Sequence, residues 1–220
     1  MAGYGEIRQT LLAPSFLGEH AELIKDFPYQ PETAKKILNG KKVSLTLVSG
    51  FPNANVHGSL PEIIQSQLKN IGIEINIIKV SDVGLYHAMR KEHKGDLWLE
   101  KGNNNSADLT FLPHLLFHPK GFYPGQLHTV SGSEQFCQFI EKARNIHEAG
   151  QIGKYTALAL QEIIHNEILF IPIAELPFMM AAQANIKVSV LYPTLLTTQW
   201  RGFGKIKSFF GQQTQIHLSG

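Results

Sequence analysis

The chain has 220 residues, of which 43% are hydrophobic, with 20 Lys and Arg set against 18 Asp and Glu. A chain of this length buries roughly 70% of the surface its unfolded form exposes, which argues against disorder and allows one or two domains. The formal net charge of +2 comes without a basic block, which argues against a nucleic-acid partner held by phosphate contacts.

The opening Met1-Ala2-Gly3-Tyr4-Gly5 has neither the charged nor the apolar stretch of a signal peptide. The expectation is a cytoplasmic protein or a piece of a longer precursor. Residues 1–30 show little periodicity, contain Pro14, Gly18 and Pro28, and read as a loop segment that wraps over something else. Pro31-Glu-Thr-Ala-Lys-Lys-Ile-Leu38 predicts a short helix, with Pro31 suited to its first turn and Gly40 to its end. From Lys42 to Val48, Val43, Leu45 and Leu47 alternate with Ser44 and Thr46, which predicts a strand. A loop over residues 50–55 leads to a helix from Ser59, with Leu60, Ile63, Ile64, Leu68 and Ile71 on one face and Gly72 at its end. Ile73, Ile75 and Ile77 then alternate with Glu74 and Asn76 as a second strand.

Ser81 or Asp82 can cap a short helix carrying Leu85, Ala88 and Met89, and Gly95 to Leu99 predicts a third strand. This β-α-β-α-β order argues for a layered α/β sheet. Asn103-Asn-Asn-Ser106 is a polar loop beyond that third strand, where open α/β sheets bind their ligands. Residues 119–132 read as irregular, rich in Pro and Gly. Two helices follow, over about 133–148 and 153–166. The lone cysteine, Cys137, falls on the first of them and reads as a partly buried, inert thiol. Ile168 to Ile173 and Phe178 to Ala182 read as buried strands, too short to cross a bilayer. The tail from Asn185 has little periodicity and is expected to pack along a surface.

Several of these stretches resemble the family-5 extracellular solute-binding proteins of peptide and nickel ABC transporters. Tyr29-Gln-Pro-Glu-Thr-Ala-Lys-Lys-Ile-Leu38 and the strand Val43 to Ser49 look like a helix and strand of that family. Glu62-Ile-Ile-Gln-Ser-Gln-Leu-Lys-Asn-Ile-Gly-Ile73 and Tyr155 to Pro172 are similar to two more of its segments. Leu11-Leu-Ala-Pro-Ser15 is similar to a stretch in nickel-binding members. The resemblance runs in order over about residues 3–185. It implies an α/β, type II periplasmic-binding-protein-like lobe with a mixed sheet flanked by helices. Its divisions would be a wrapping segment over 1–30, the solute-binding lobe over 31–184 and a C-terminal extension over 185–220. It also implies that an N-terminal lobe and a signal sequence are missing. The protein would be periplasmic or a cell-surface lipoprotein that closes two lobes around its ligand. It would then deliver the ligand to an ABC permease and its ATPase subunit.

In that family the ligand loop follows the strand that corresponds to Asp96 to Leu99. Here it reads Glu100-Lys-Gly-Asn-Asn-Asn-Ser-Ala-Asp108, without the family's usual tryptophan after the strand. Asn103, Asn104 and Asn105 stand where an acid is often found, and offer neutral donors and acceptors instead of a counter-charge. They read as ligand contacts or as a solvated turn. Glu100 and Lys101 read as contacts or as a pair that neutralises itself at the surface, and Trp98 as core or as a stacking platform. His114 and His118 are four apart, yet two imidazoles leave a transition metal short of ligands. His118 stays a ligand candidate through the nickel-binding relatives, and no metal or cofactor site is assigned.

Enzyme signatures such as G-x-S-x-G, a Walker A loop, H-E-x-x-H and G-x-G-x-x-G are absent. The expectation is a non-enzymatic binding protein for an oligopeptide or similar small solute. Nickel or another metal chelate is the alternative ligand. A free-standing cytoplasmic α/β domain is the rival class, and a sensor or chaperone-like use of the same fold is a third option.

Overall fold

The structure, a computed structural model, describes residues 6–7, 10–50, 58–100, 106–175, 186–188 and 216–218. Its elements begin with β1 (Glu6–Ile7), α1 (Pro14–Leu17), a 3-10 segment (Gly18–Leu23), α2 (Pro31–Leu38) and β2 (Val43–Ser49). Next come α3 (Leu60–Lys69), β3 (Ile73–Lys79), α4 (Val83–Lys91), β4 (Leu97–Leu99), α5 (Phe111–Phe117) and α6 (Phe122–Leu127). The remainder is α7 (Glu134–Asn145), α8 (Ala149–Gln161) with a π-helical turn (Glu162–Asn166), β5 (Ala174–Glu175), β6 (Ile186–Val188) and β7 (Ile216–Leu218).

β2 is the centre of a parallel sheet in the order β3-β2-β4, with Leu45 beside Ile75 and Val48 beside Trp98. Successive strand residues face opposite sides. Leu47 and Ile75 therefore share one face with Leu99, and α3 covers it through Leu60, Ile64 and Leu68. Val48 faces the other side, where α4 brings Tyr86 and Met89 against Val80 and Trp98. The two crossover helices thus lie on opposite faces, and the strand order reverses at β2. Such a reversal opens the carboxyl ends of the strands as a binding edge.

Local chemistry sets the ends of these elements. The Asp82 carboxylate accepts the Leu85 N–H at 2.6 Å and starts α4, and the Ser133 hydroxyl accepts the Phe136 N–H at 3.3 Å and starts α7. At the end of β2 the Val80 N–H donates to the Ser49 carbonyl at 2.8 Å. Gly50 (φ 143°) then passes so close that a β-carbon would stand 1.9 Å from the Val80 oxygen, so only glycine fits.

A second core is helical. Phe136 and Ile140 of α7 pack with Leu160 of α8 and with Ile163 and Ile164 of the π turn. Leu112 and Phe117 of α5 join them, with Leu12, Leu17 and Ile24. Residues 10–24 are therefore not the plain loop expected from their weak periodicity. α1 and the 3-10 segment are each about one turn or two long, too short to show a helical period.

Three further expectations differ from the structure. The stretch 119–132 is not wholly irregular, since α6 forms within it and ends at His128 in the left-handed region (φ 52°). α8 starts at Ala149, four residues before the expected Gly153, because Gly150 and Gly153 sit inside the helix. Ile168 to Ile173 is not a buried strand. The chain leaves the π turn through Ile168 at φ 53°, the Leu169 N–H returns to the Ile163 carbonyl at 2.9 Å, and Ile168, Ile171 and Ile173 are exposed. Pairing begins only at Ala174, antiparallel to β1. Phe178 to Ala182 lies outside the described residues. In the tail, β6 pairs antiparallel with β7, Lys187 opposite His217.

Candidate ligand-binding edge

The carboxyl end of β4 carries Leu99 and then Glu100, and this edge holds a cluster of polar and aromatic side chains. The Glu100 carboxylate is gripped by the Arg90 guanidinium and accepts the Tyr86 hydroxyl. Tyr86 and Arg90 are one helical turn apart on α4, and Arg90 Nη1 also donates to the Tyr86 hydroxyl oxygen at 3.2 Å. Tyr86 packs edge-on against Trp98, with ring centres 5.2 Å apart.

The Arg90 Cζ lies 5.3 Å from the Trp98 ring centre and 5.0 Å from that of Tyr123 on α6. Both distances suit a cation–π contact.

Burial governs the electrostatics here. It pushes the Tyr86 phenol up to about 12, against the pull of the Arg90 charge. It also pulls the Arg90 guanidinium below its ordinary value, opposed by Tyr86 and Tyr123. The guanidinium nevertheless stays charged. Glu100 is therefore a charge already paired inside the protein, through charge-assisted hydrogen bonds. Its partner among the described residues is Arg90, ten residues earlier.

Downstream, the Asp108 carboxylate accepts the Thr110 N–H at 2.8 Å and the Thr110 hydroxyl at 2.7 Å, which fixes the chain as it enters α5.

Of the predicted site residues, the structure brings Trp98 and Glu100 together. Lys101, Asn103, Asn104 and Asn105 lie outside the described residues. His118 sits apart from the cluster, at the end of α5, and is 3% exposed. Its Nδ1 accepts the Lys120 N–H at 3.1 Å, which leaves Nε2 as the protonated nitrogen, 3.3 Å from a Glu141 oxygen. Its ring stacks on that of His114 at 4.3 Å. Both nitrogens are thus engaged. Among the described residues, no three of His, Cys, Asp and Glu converge to hold a metal ion. Cys137 is half-buried, and burial first, then Glu141, Glu167 and Glu134, raise its thiol above the ordinary value. That favours the inert thiol.

Sequence reasoning missed Tyr86, Arg90 and Tyr123. The Tyr86–Arg90 spacing of four on a helix was a usable signal, because it places a phenol and a guanidinium on one face. Tyr123 gave none, since α6 itself was not foreseen.

Comparison with known proteins fits this architecture. Residues 1–124, more than half of the chain, match the family described as bacterial extracellular solute-binding proteins, family 5 Middle. Di/tripeptide-binding protein 2 of Pseudomonas aeruginosa is 29% identical over 185 residues, covering 77% of this chain and 32% of that protein. A dipeptide-binding protein from Pseudoalteromonas sp., solved with Met-Leu, superposes with a TM-score of 0.66 at 22% identity, over 86% of this chain and 38% of that one. A nickel ABC transporter protein from Bacillus halodurans superposes with a TM-score of 0.60 at 18% identity, over 79% of this chain and 38% of that one. The chain spans about a third of the length of these relatives. Among the described residues no helix is long and apolar enough to cross a membrane. With its type II periplasmic-binding-protein lobe, the chain belongs to the bacterial extracellular solute-binding proteins of family 5.

Proposed function

We propose that this chain is part of the solute-binding component of an ABC importer, capturing a short peptide or similar small solute outside the cytoplasmic membrane. It delivers the solute to a membrane permease driven by an ATPase subunit. It binds and releases, and carries out no chemistry of its own. The observation that carries this reading is the family match over residues 1–124, and the di/tripeptide-binding relative favours a peptide.

The binding edge is the carboxyl end of the parallel sheet. Lys101 and Asn103, Asn104 and Asn105 make the direct ligand contacts, and Trp98 and Glu100 frame them from the end of β4. Since Glu100 is paired with Arg90, the charge left among these contacts is the Lys101 ammonium, and the three asparagines add neutral amide groups. A metal chelate is the second reading, favoured by the nickel-transporter fold match. In it His118 would touch the ligand, at the cost of one of the two partners its ring nitrogens now have.

Calorimetric titration of the whole protein with Met-Leu and, separately, with a nickel chelate tests the proposal. Saturable binding of Met-Leu that weakens about tenfold in an Asn103→Ala, Asn105→Ala variant is expected, the loss of about 1.4 kcal/mol being one or two hydrogen bonds. Binding of the nickel chelate alone would transfer the proposal to the second reading, and binding of neither would overturn both.

A further inference from the structure

We infer that Arg90 is a positioning residue that couples two separately packed units, by holding Tyr123 of α6 on one side while it pairs with Glu100 and Trp98 at the end of β4 on the other. The inference is independent of what the protein binds. The described chain has two kinds of core. The sheet, α3 and α4 pack through Leu47, Ile75 and Leu99 on one face and Val48, Val80 and Tyr86 on the other. α5, α7 and α8 pack through a separate cluster centred on Phe136, Ile140 and Leu160. No residue of the helical cluster belongs to either sheet cluster.

Among the described regular elements, α6, which packs on α5, makes the most extensive approach to the sheet unit, through α4. Arg90 stands at that approach. Its side chain is 13% exposed, and its Nε is buried without a hydrogen-bond partner among the described residues. The guanidinium therefore keeps a donor unused while its charge goes to Glu100 and its flat faces to rings. Trp98 belongs to the sheet unit and Tyr123 to α6, at 5.3 Å and 5.0 Å from Cζ. A lysine could supply the charge, but not a planar group that serves a carboxylate and two aromatic rings together. Because the Arg90–Glu100 pair is mostly desolvated, its attraction is weakly screened and fixes the guanidinium against Tyr123, so that changes in the sheet unit reach α6 through this side chain.

Segment-resolved hydrogen exchange on the 220-residue chain, across a denaturant series, tests the coupling. In the parent chain, the most protected amides of β2 and of α7 and α8 should respond to denaturant together, as one cooperative unit. In Tyr123→Leu and in Arg90→Met, exchange in the two units should separate by about tenfold. Tyr123→Phe keeps the ring face and should behave as the parent, which distinguishes coupling through the ring from general stability. Arg90→Lys should fall between. Units that already exchange independently in the parent would overturn the inference. So would a Tyr123→Leu variant that lowers protection equally in both units or leaves it unchanged. None of these readouts depends on ligand binding, so a failed peptide titration leaves the inference standing.

Discussion

Gly95 runs so close to Val48 that a β-carbon added to it would stand 2.6 Å from Val48 Cγ2 and 3.2 Å from the Trp98 ring. Val48 is fully buried near the end of β2, and the turn before β4 has no room to retreat, because the Asp96 N–H is bonded to the Thr46 carbonyl at 3.0 Å and the Asp96 carboxylate to the Thr46 N–H at 2.7 Å. Gly95→Ala should therefore destabilise the chain by about 1–3 kcal/mol through overpacking. In a Val48→Ala background the same change should cost clearly less, as measured by chemical denaturation. Equal costs in both backgrounds would contradict the contact.

Tyr86 should report the same edge through alkaline pH. Its phenol is raised from 10.0 to about 12 in the folded protein, chiefly by burial. A raised folded value means that the folded state keeps a proton which the unfolded state has lost. This contribution to stability is complete below pH 10 and is lost as pH rises toward about 12. Ultraviolet titration should show one phenolate appearing late, as pH rises toward about 12. Tyr86→Phe should remove the late step and flatten the alkaline loss of stability.

His114 works in the opposite direction. Burial first, then Arg144 and the neighbouring His118, lower its value below 6.5, against the weaker pull of Glu141 and Asp108. Below 6.5 the unfolded chain binds a proton that the folded one resists, so stability falls as pH drops below 6.5. The proton resonances of His114 should titrate below those of an exposed histidine. His114→Gln should reduce the acid sensitivity of the melting temperature.

Ile168 holds φ at 53° while more than half exposed. A β-branched residue there costs about 1–2 kcal/mol, which glycine does not pay. Ile168→Gly should raise the melting temperature by about 2–4 °C, and a fall would show that the isoleucine side chain contributes more than its backbone costs.

The sheet layer was legible in the sequence because each of its elements carries a complete local signal. Val43, Leu45 and Leu47 alternate over a full strand, Leu60, Ile64 and Leu68 recur at helical spacing, and Asp82 caps α4 through its own carboxylate. The helical unit was less legible where elements are one or two turns long, as in α1 and α6, or where glycines lie inside a helix, as in α8. Ile168 to Ile173 looked like a strand from composition alone, because nothing in an apolar run reveals a π turn immediately before it. At the site, Trp98 and Glu100 followed from their place at a strand end. Tyr123 did not, because its contact with Arg90 is made by the packing of α4 against α6, and sequence spacing carries no record of it.

Native mass spectrometry of the whole protein, purified gently from its own cells, tests the proposed capture of a short peptide most directly. A co-purified mass in the range of di- and tripeptides, displaced by added Met-Leu, is expected. A bound nickel isotope pattern, or a protein that carries no mass and acquires none from added Met-Leu, would contradict it.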